Sequence, residues 1–173
     1  MRALVAVGAA LLVAGCAARG APTDTTARAE LRNPGGQVVG SATFTQVGNA
    51  VRMVLEAEGL PPGVKGVHIH AVGKCDPPDF TTAGSHFNPQ GRQHGALNPQ
   101  GPHAGDLPNL SVGADGKGRL ESTNQLVTLL SGPHSLFDAD GSALVVHAAP
   151  DDFRTDPTGN AGARIACGVI TRK

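Results

Sequence analysis

Histidine spacing constrains this chain more than any other feature of its sequence. Five of the seven histidines lie within residues 67–106, in the runs VHIH, GSHFNP, QHG and PHAGD. A sixth, His147, ends the apolar run LVVH. Side chains two residues apart in a strand point to one face, so His68 and His70 can reach one ion. A fold that uses all six histidines must return the strand of His147 to this stretch.

The remainder of the chain favours an all-β fold. Apolar residues alternate with polar ones in short runs, and 24 glycines and 13 prolines supply the turns between them. We expect about eight short strands and no amphipathic helix, arranged as one antiparallel β-sandwich or flattened barrel. The expected strands include residues 37–46, 51–57, 64–72, 126–130, 142–148 and 164–170, and Asp115 and Gly116 form a hairpin turn.

Residues 73–110 contain no periodic run. A loop of this length without regular structure is uncommon unless it is functional. It carries four candidate ligands, His86, His94, His103 and Asp106. The charge of the chain is balanced, with 14 Lys and Arg against 14 Asp and Glu. That balance gives no support for a nucleic-acid partner or for binding to an anionic membrane surface.

The N-terminus predicts export. Residues 1–15 combine one early positive charge, a short apolar run and small residues, which is the pattern of a secretory signal peptide. Cys16 follows as in a bacterial lipobox, where the thiol receives a lipid. The alternative is an ordinary secretory signal that happens to contain a cysteine. We predict lipidation of Cys16, a flexible tether over residues 16–27 and one domain over residues 28–173.

Cys75 and Cys167 are the other two cysteines. An exported protein meets an oxidising compartment, which favours a disulfide between them. The alternatives are a redox pair, for which no C-x-x-C pattern exists here, and a thiolate zinc site, for which no further cysteine remains.

The ligand candidates divide into two metal sets. Four imidazoles in a roughly planar arrangement suit Cu(II), and the residues that supply them are His68, His70, His86 and His147. Three nitrogen ligands and one carboxylate suit tetrahedral zinc, and that set contains His94, His103 and Asp106. His86 is the natural shared member, because each ring nitrogen can bind a different ion. We interpret His134, in a loop, as an ordinary hydrogen-bonded histidine.

The chain resembles the copper/zinc superoxide dismutases over essentially the whole expected domain. The matching segments are residues 66–70 (GVHIH), 83–89 (AGSHFNP), 103–109 (HAGDLPN), 144–147 (LVVH) and 159–170 (GNAGARIACGVI). The resemblance implies an eight-stranded antiparallel Greek-key β-barrel with long metal-binding and electrostatic loops. It also implies one copper ion and one zinc ion per chain.

The resemblance assigns residue roles as well. The implied copper ligands are His68, His70, His86 and His147. The implied zinc ligands are His86, His94, His103 and Asp106. Asp151 matches the acid that joins a copper histidine to a zinc histidine; the alternative is an exposed loop acid, since Asp152 stands beside it. Cys75 and Cys167 match the family disulfide. Arg164 matches the arginine at the mouth of the copper channel, with a surface ion pair as the alternative.

The implied activity is disproportionation of superoxide to dioxygen and hydrogen peroxide by redox cycling of copper. In the family account, His86 passes a proton to the product and Arg164 attracts the anion. The alternative is a non-enzymatic copper or zinc buffer or donor in the envelope, for which members lacking a copper ligand are the precedent. All four copper histidines are present here, which favours the enzyme.

The resemblance and Cys16 together imply a bacterial protein of the cell envelope, anchored by lipid and facing the periplasm or the exterior. Association into a homodimer is a further prediction. The departures from the family lie in the segment 151–158, where Pro157 stands in place of the lysine of many members and Arg154 replaces a lysine-rich pattern. They affect the details of steering and leave Arg164 in place.

Overall fold

The computed structural model describes residues 25–173. Its ten strands are β1 Thr26–Arg32, β2 Val38–Val47, β3 Ala50–Glu58, β4 Gly63–Lys65, β5 Val67–His70, β6 Leu110–Val112, β7 Lys117–Asn124, β8 Ala143–His147, β9 Arg164–Val169 and β10 Thr171–Arg172. Within these residues the one helical element is a 3₁₀ turn, Thr81–Ala83.

All ten strands form one antiparallel sheet, in the order β4-β6-β7-β3-β2-β1-β9-β8-β5, with β10 paired to β1. The edge strands β4 and β5 are separated in the chain only by Gly66, so the sheet curls into a nearly closed barrel. β3 connects to β4 across the positions of β7 and β6, which is a Greek-key connection. The predicted fold class is confirmed, with ten strands in place of about eight.

In β1 and β3, buried and exposed side chains alternate along the strand. In β3 the buried side chains are Val51, Met53, Leu55 and Ala57. The positions between and after them are the exposed Arg52, Glu56 and Glu58 and the half-buried Val54. β1 repeats the pattern from Ala27 to Leu31. One face of each strand therefore packs on the core, and burial of that face contributes roughly 25 cal/mol per Å² of apolar surface.

β5 and β8 differ, because every residue in both strands is buried. Val67 and Ile69 belong to the barrel core. His68 and His70 point to the opposite, outer face, where the register pairs them with Val145 and Ala143 of β8. A small cluster that includes Phe80 and Cys167 covers this outer face. The histidines thus lie outside the barrel but beneath its loops.

The predicted strand at residues 126–130 is wrong. Val127 and Leu129 are buried in the core, as their hydrophobicity suggests. Apart from an isolated bridge between Thr128 and Ser135, the segment is nevertheless a loop. The side-chain oxygen of Gln46 accepts hydrogen bonds from the Leu129 N–H at 2.7 Å and from the Thr128 hydroxyl at 3.0 Å. At Leu129 a side chain therefore satisfies a backbone N–H that a strand would have paired in a ladder.

Two other strands, the one expected at 64–72 and β1, also differ from the prediction. The strand expected at 64–72 is interrupted at Gly66, whose N–H donates to Ala149 O at 2.8 Å and whose carbonyl accepts from His147 N–H at 2.9 Å. β1 begins at Thr26, inside the expected tether, and Ala27 is fully buried. The alternation of buried and exposed residues that ends at Leu31 extends back to Ala27, so the sequence pattern could have placed the start of this strand earlier.

The predicted signal peptide, Cys16 and most of the tether fall in residues 1–24, outside the described residues. From Thr25 onwards, no helix is long and apolar enough to cross a membrane.

Candidate metal centre

The structure gathers every predicted ligand on the outer face of β5 and β8. The strands supply His68, His70 and His147, and the loop between β5 and β6 supplies His86, His94, His103 and Asp106. Isolated bridges pair His70 with His86 and His68 with Asp106, which fixes the loop against β5. Each of the six histidines is at most 5% exposed.

The first group consists of four histidines whose ligand atoms all lie within 4.8 Å of one another: His68, His70, His86 and His147. Nδ1 of His70 donates to Gly84 O at 2.9 Å, and Nδ1 of His147 donates to Gly162 O at 3.0 Å. Their Nε2 atoms, and Nδ1 of His68, are buried without a hydrogen-bond partner within residues 25–173. Buried polar atoms are rarely left unpaired, so these three nitrogens favour a metal ion.

The second group has tetrahedral dimensions. The Asp106 Oδ1 distances to the three Nδ1 atoms are 3.1, 3.0 and 3.4 Å, for His86, His94 and His103 respectively. Nδ1 of His86 and Nδ1 of His103 are 3.3 Å apart. A tetrahedral zinc site with bonds of about 2.0–2.1 Å has ligand atoms about 3.3–3.4 Å apart. Donor types and spacing both fit zinc.

His86 belongs to both groups, as the sequence predicts. His68 also lies within 4.8 Å of part of the second group. Its Nε2, however, is already hydrogen-bonded to Asp151 at 2.8 Å. His103 is the better fourth member of the second group, because its Nδ1 lies beside both His86 and Asp106.

Asp151 connects the two groups. Its Oδ2 accepts from Nε2 of His68 at 2.8 Å and its Oδ1 accepts from Nε2 of His94 at 3.0 Å. The Asn109 side chain holds the Asp151 backbone on both sides, at 2.9 Å each. Asp152 is exposed instead, and its carboxylate accepts four hydrogen bonds from the following turn. Asp151 is thus the bridging acid, and Asp152 shapes the loop.

Burial favours the neutral form of three members of the first group by lowering the pKa values of His70, His86 and His147. Burial and then the charge of His86 lower the pKa of His70 to about 2. Burial and then His68 lower the pKa of His147 to about 3. Burial also lowers the pKa of His86 to about 4, against the opposing effect of Asp106. Neutral imidazole is the form that binds a metal ion.

Asp106 and Asp151 raise the pKa of His94, in contrast to the lowered pKa values in the first group. Burial lowers its pKa, but the hydrogen bonds to Asp106 and Asp151 outweigh burial and raise the pKa to about 9. Burial favours a raised pKa for both acids, yet their histidine partners hold the carboxyl pKa values well below the usual range. A zinc ion held by His94 would therefore displace a proton from that ring.

Arg164 lines an open cavity of about 600 Å³ that exposes His70, His86 and His147. Its guanidinium donates to Phe80 O at 2.6 Å and to Gly84 O at 2.7 Å. Burial lowers the pKa of Arg164, but a guanidinium stays charged. No ion pair of Arg164 lies within 4.0 Å among the described residues, so its role is not that of a surface salt-bridge partner.

The disulfide between Cys75 and Cys167 is confirmed, with Cα atoms 5.6 Å apart. Cys167 lies on β9, the strand that begins with Arg164. Cys75 begins the segment that supplies the carbonyls of Phe80 and Gly84. The disulfide therefore ties the arginine's strand to the segment that anchors the arginine.

Sequence reasoning missed the groups that orient the ligands through main-chain atoms. The carbonyls of Gly84 and Gly162 fix the rings of His70 and His147, and a carbonyl has no signature in residue type. The glycines themselves were the available signal, since both have positive φ, 75° and 76°. Asn109 was visible in the matched segment HAGDLPN, but its contact with Asp151 required the fold.

The fold and site define a β-barrel protein with two adjoining metal groups that share one histidine. The family profile described as copper/zinc superoxide dismutase matches residues 38–170. The chain is 50% identical over 149 residues to superoxide dismutase (Cu-Zn) 2 of Aquifex aeolicus, covering 85% of this chain and 87% of that protein.

A superoxide dismutase (Cu-Zn) of Caulobacter vibrioides is 45% identical over 148 residues, covering 84% of this chain and 85% of that protein. The crystal structure of a SOD-like protein from Bacillus subtilis has a TM-score of 0.79 at 41% identity, covering 82% of this chain and 96% of that one. This chain belongs to the copper/zinc superoxide dismutase family.

Proposed function

We propose that this chain disproportionates superoxide at the centre built around His86. It is a copper/zinc superoxide dismutase, an oxidoreductase that converts two superoxide ions and two protons into dioxygen and hydrogen peroxide. The observation that carries this conclusion is the convergence of four buried imidazoles and a tetrahedral group on one shared ring.

The hydrogen bonds of the rings support one choice of nitrogen for each proposed ligand. Nδ1 of His70 and of His147 are bound to carbonyls, so their unpaired Nε2 atoms would hold copper. Nε2 of His68 is bound to Asp151, so its unpaired Nδ1 would hold copper. The proposed copper ligands are His68, His70, His86 and His147. The proposed zinc ligands are His86, His94, His103 and Asp106.

Bound copper supplies the one-electron redox chemistry, while zinc has no redox chemistry and supplies a fixed charge. His86 is the proton donor. Its Nδ1 lies 3.1 Å from Oδ1 of Asp106 in the second group. Its Nε2 is therefore the nitrogen that takes up a proton and passes it on. The first superoxide gives up one electron and leaves as dioxygen. The second accepts that electron and two protons, one from Nε2 of His86 and one from solvent, and leaves as hydrogen peroxide.

Arg164 attracts and docks the anion. It is the one Lys or Arg among the described residues that line the cavity, and no Asp or Glu in the described part of the chain lines it. Pro157, at the lysine position of many relatives, lies in the same wall. Among the described residues that line the cavity, attraction at close range therefore depends on a single fixed charge, which is held by two carbonyl groups. The acid that interacts with this charge, Asp79, lies outside the cavity lining.

The alternative function, a non-enzymatic copper or zinc buffer, is not favoured. It requires that the copper set be incomplete or closed to substrate. All four histidines converge here, and three of them line the open cavity. The similarity to proteins named as superoxide dismutases also supports the enzyme.

The proposal includes export and attachment to the cell envelope, through a lipid on Cys16, with the domain facing the periplasm or the exterior. Its support is the sequence of residues 1–16, which lies outside the described residues. Mass spectrometry of the mature N-terminal peptide tests it, because an acylated Cys16 is predicted and an unmodified terminus beyond Cys16 contradicts it. Association into a homodimer stays a prediction, which light scattering of the purified domain tests.

The activity is tested by loading residues 17–173 with copper and zinc and following superoxide decay by stopped flow. We expect one copper and one zinc per chain and rapid decay. The same protein loaded with zinc alone is the matched control and should not accelerate decay, because it holds no redox-active ion. Tight copper binding without accelerated decay would contradict the dismutase and support the buffer.

A further inference from the structure

We propose that Asp156 is a positioning residue of the zinc group, acting on His103 as Asp151 acts on His94. This inference rests on the zinc assignment of the proposed function. Histidines that bind a metal usually direct their other ring nitrogen to a carboxylate or carbonyl, which fixes the ring and its tautomer. For His94 that partner is Asp151, at 3.0 Å from Nε2.

Asp156 is the carboxylate that faces Nε2 of His103. Its Oδ1 lies 3.7 Å from that nitrogen, which is just beyond a direct hydrogen bond and within reach of a bridging water or a small rotation of the carboxylate. Nδ1 of His103 faces Asp106 and His86 on the other side of the ring. A negative charge at Nε2 favours the tautomer that leaves Nδ1 free for zinc.

The same Asp156 oxygen accepts the main-chain N–H of His94 at 2.5 Å. One carboxylate therefore contacts two of the three proposed zinc histidines from outside the group. Asp106 uses its second oxygen similarly, accepting the main-chain N–H groups of Gly95 and His103 at 2.9 Å each. Asp106 and Asp156 thus hold the same loop from its inner and outer sides.

Further contacts bind this loop to the segment that carries Asp156. Leu97 N–H donates to Phe153 O at 3.0 Å. A Cβ at Gly95 would lie 2.2 Å from the same oxygen, so the two backbones are in direct contact. Asp156 is therefore placed by a rigid junction, although its own side chain is 45% exposed.

A small cavity of about 280 Å³ borders the outer side of His103, lined also by Arg92 and Asp156. Solvent in this cavity screens the carboxylate. Its effect on zinc should consequently lie near the lower limit of what carboxylates behind metal ligands contribute, about 10-fold to 100-fold in affinity.

The test is zinc affinity, measured by competition with a chromophoric chelator, in two variants. Asp156→Asn retains an oxygen for the His94 N–H and removes the charge, whereas Asp156→Ala removes both. We expect Asp156→Asn to weaken zinc about tenfold and Asp156→Ala to weaken it at least as much. The visible spectrum of Co(II) bound in place of zinc should shift in Asp156→Asn, because the His103 ring is no longer held.

Asp140→Asn is the matched control, because it removes the same charge from an exposed acid whose side chain has no ion pair or hydrogen bond in the described residues. Its zinc affinity and Co(II) spectrum should equal those of the unaltered protein. Unchanged zinc affinity in Asp156→Asn would overturn the proposal. This holds even if Asp156→Ala bound zinc more weakly, because Asp156 would then act only through its hydrogen bond to the His94 main chain. Zinc affinity is measured without superoxide, so failure of the dismutase activity would not be mistaken for failure of this inference.

Discussion

Nε2 of His68 lies 2.8 Å from Oδ2 of Asp151, and both side chains are fully buried. The other oxygen of the same carboxylate holds His94, so one acid orients a histidine in each metal group. Asp151→Asn keeps one acceptor oxygen for one of the two histidines, but its amide NH₂ group is a donor and faces the Nε2–H of the other histidine. We expect zinc affinity to fall about 10-fold to 100-fold, measured by chelator competition.

The Asp140→Asn variant should retain the zinc affinity of the unaltered protein, which separates this loss from a general effect of charge. An Asp151→Asn protein with unaltered zinc affinity would mean that Asp151 does not control the His94 ring.

Arg164 supplies the proposed attraction for superoxide. A unit charge about 6 Å from an anion contributes about 1.4 kcal/mol at an effective dielectric constant of about 40, which is about tenfold in rate. We expect Arg164→Gln to slow superoxide decay about tenfold at low salt and to weaken its dependence on ionic strength. Metal content should not change.

Arg164→Lys provides the comparison, because it retains the charge but cannot reach two carbonyls with a planar fork. Its decay rate should fall between those of Arg164→Gln and the unaltered protein, with the salt dependence preserved. Equal salt dependence in all three proteins would show that attraction arises elsewhere.

The disulfide closes a loop over a sequence separation of 92 residues. In the chain-entropy description, such a loop lowers the free energy of the folded state relative to the unfolded chain by up to about 4–5 kcal/mol. Replacing Cys75 and Cys167 with alanine should reduce the free energy of unfolding by up to that amount in urea titrations. Because the segment anchoring Arg164 is also released, decay should slow even at temperatures where the variant stays folded. An unchanged decay rate would separate the disulfide from the arginine.

The metal-free protein should be most stable near pH 6.5–7, where the opposing histidine effects balance. The folded pKa values of His70, His86 and His147 are lowered to about 2, 4 and 3, while the unfolded chain takes up these protons near pH 6.5. Stability is therefore lost as the pH falls below about 6.5, by at most about 4 kcal/mol per pH unit for three protons.

His94 has the opposite sign, since its pKa is raised to about 9. Its contribution is complete below about pH 6.5 and is lost as the pH rises through about 9. Urea unfolding of the metal-free protein between about pH 5 and pH 9 measures both limbs. Stability that rises steadily toward acid would contradict the assignment of the neutral histidines.

The sequence predicted which residues gather at the site, because their order and spacing are local signals. His68 and His70 must share one face of a strand. Both faces of β5 and β8 are buried, because loops cover the outer face that carries these histidines. Alternation likewise located β2 and β3 within a residue or so at most ends. It failed at 126–130, because hydrophobic burial does not require a strand when Gln46 satisfies the backbone.

The outer contacts of the site could not be predicted in the same way. Asp156 and Asn109 lie far in sequence from their partners His94 and Asp151, and neither residue type at its position distinguishes a structural contact from a solvated loop. Asp156 reaches His94 because residues 151–160 pack directly against the loop that contains Gly95.

His147 distinguishes the two proposed metal groups, because it belongs to the copper group alone. Its Nε2 is buried and unpaired among the described residues, and its other nitrogen is bound to Gly162 O. The decisive measurement is the metal content of His147→Ala after loading with both ions, alongside the unaltered protein. We predict that most zinc is retained, that copper is largely lost and that superoxide decay disappears. Equal loss of zinc and copper would contradict two separable groups joined at His86.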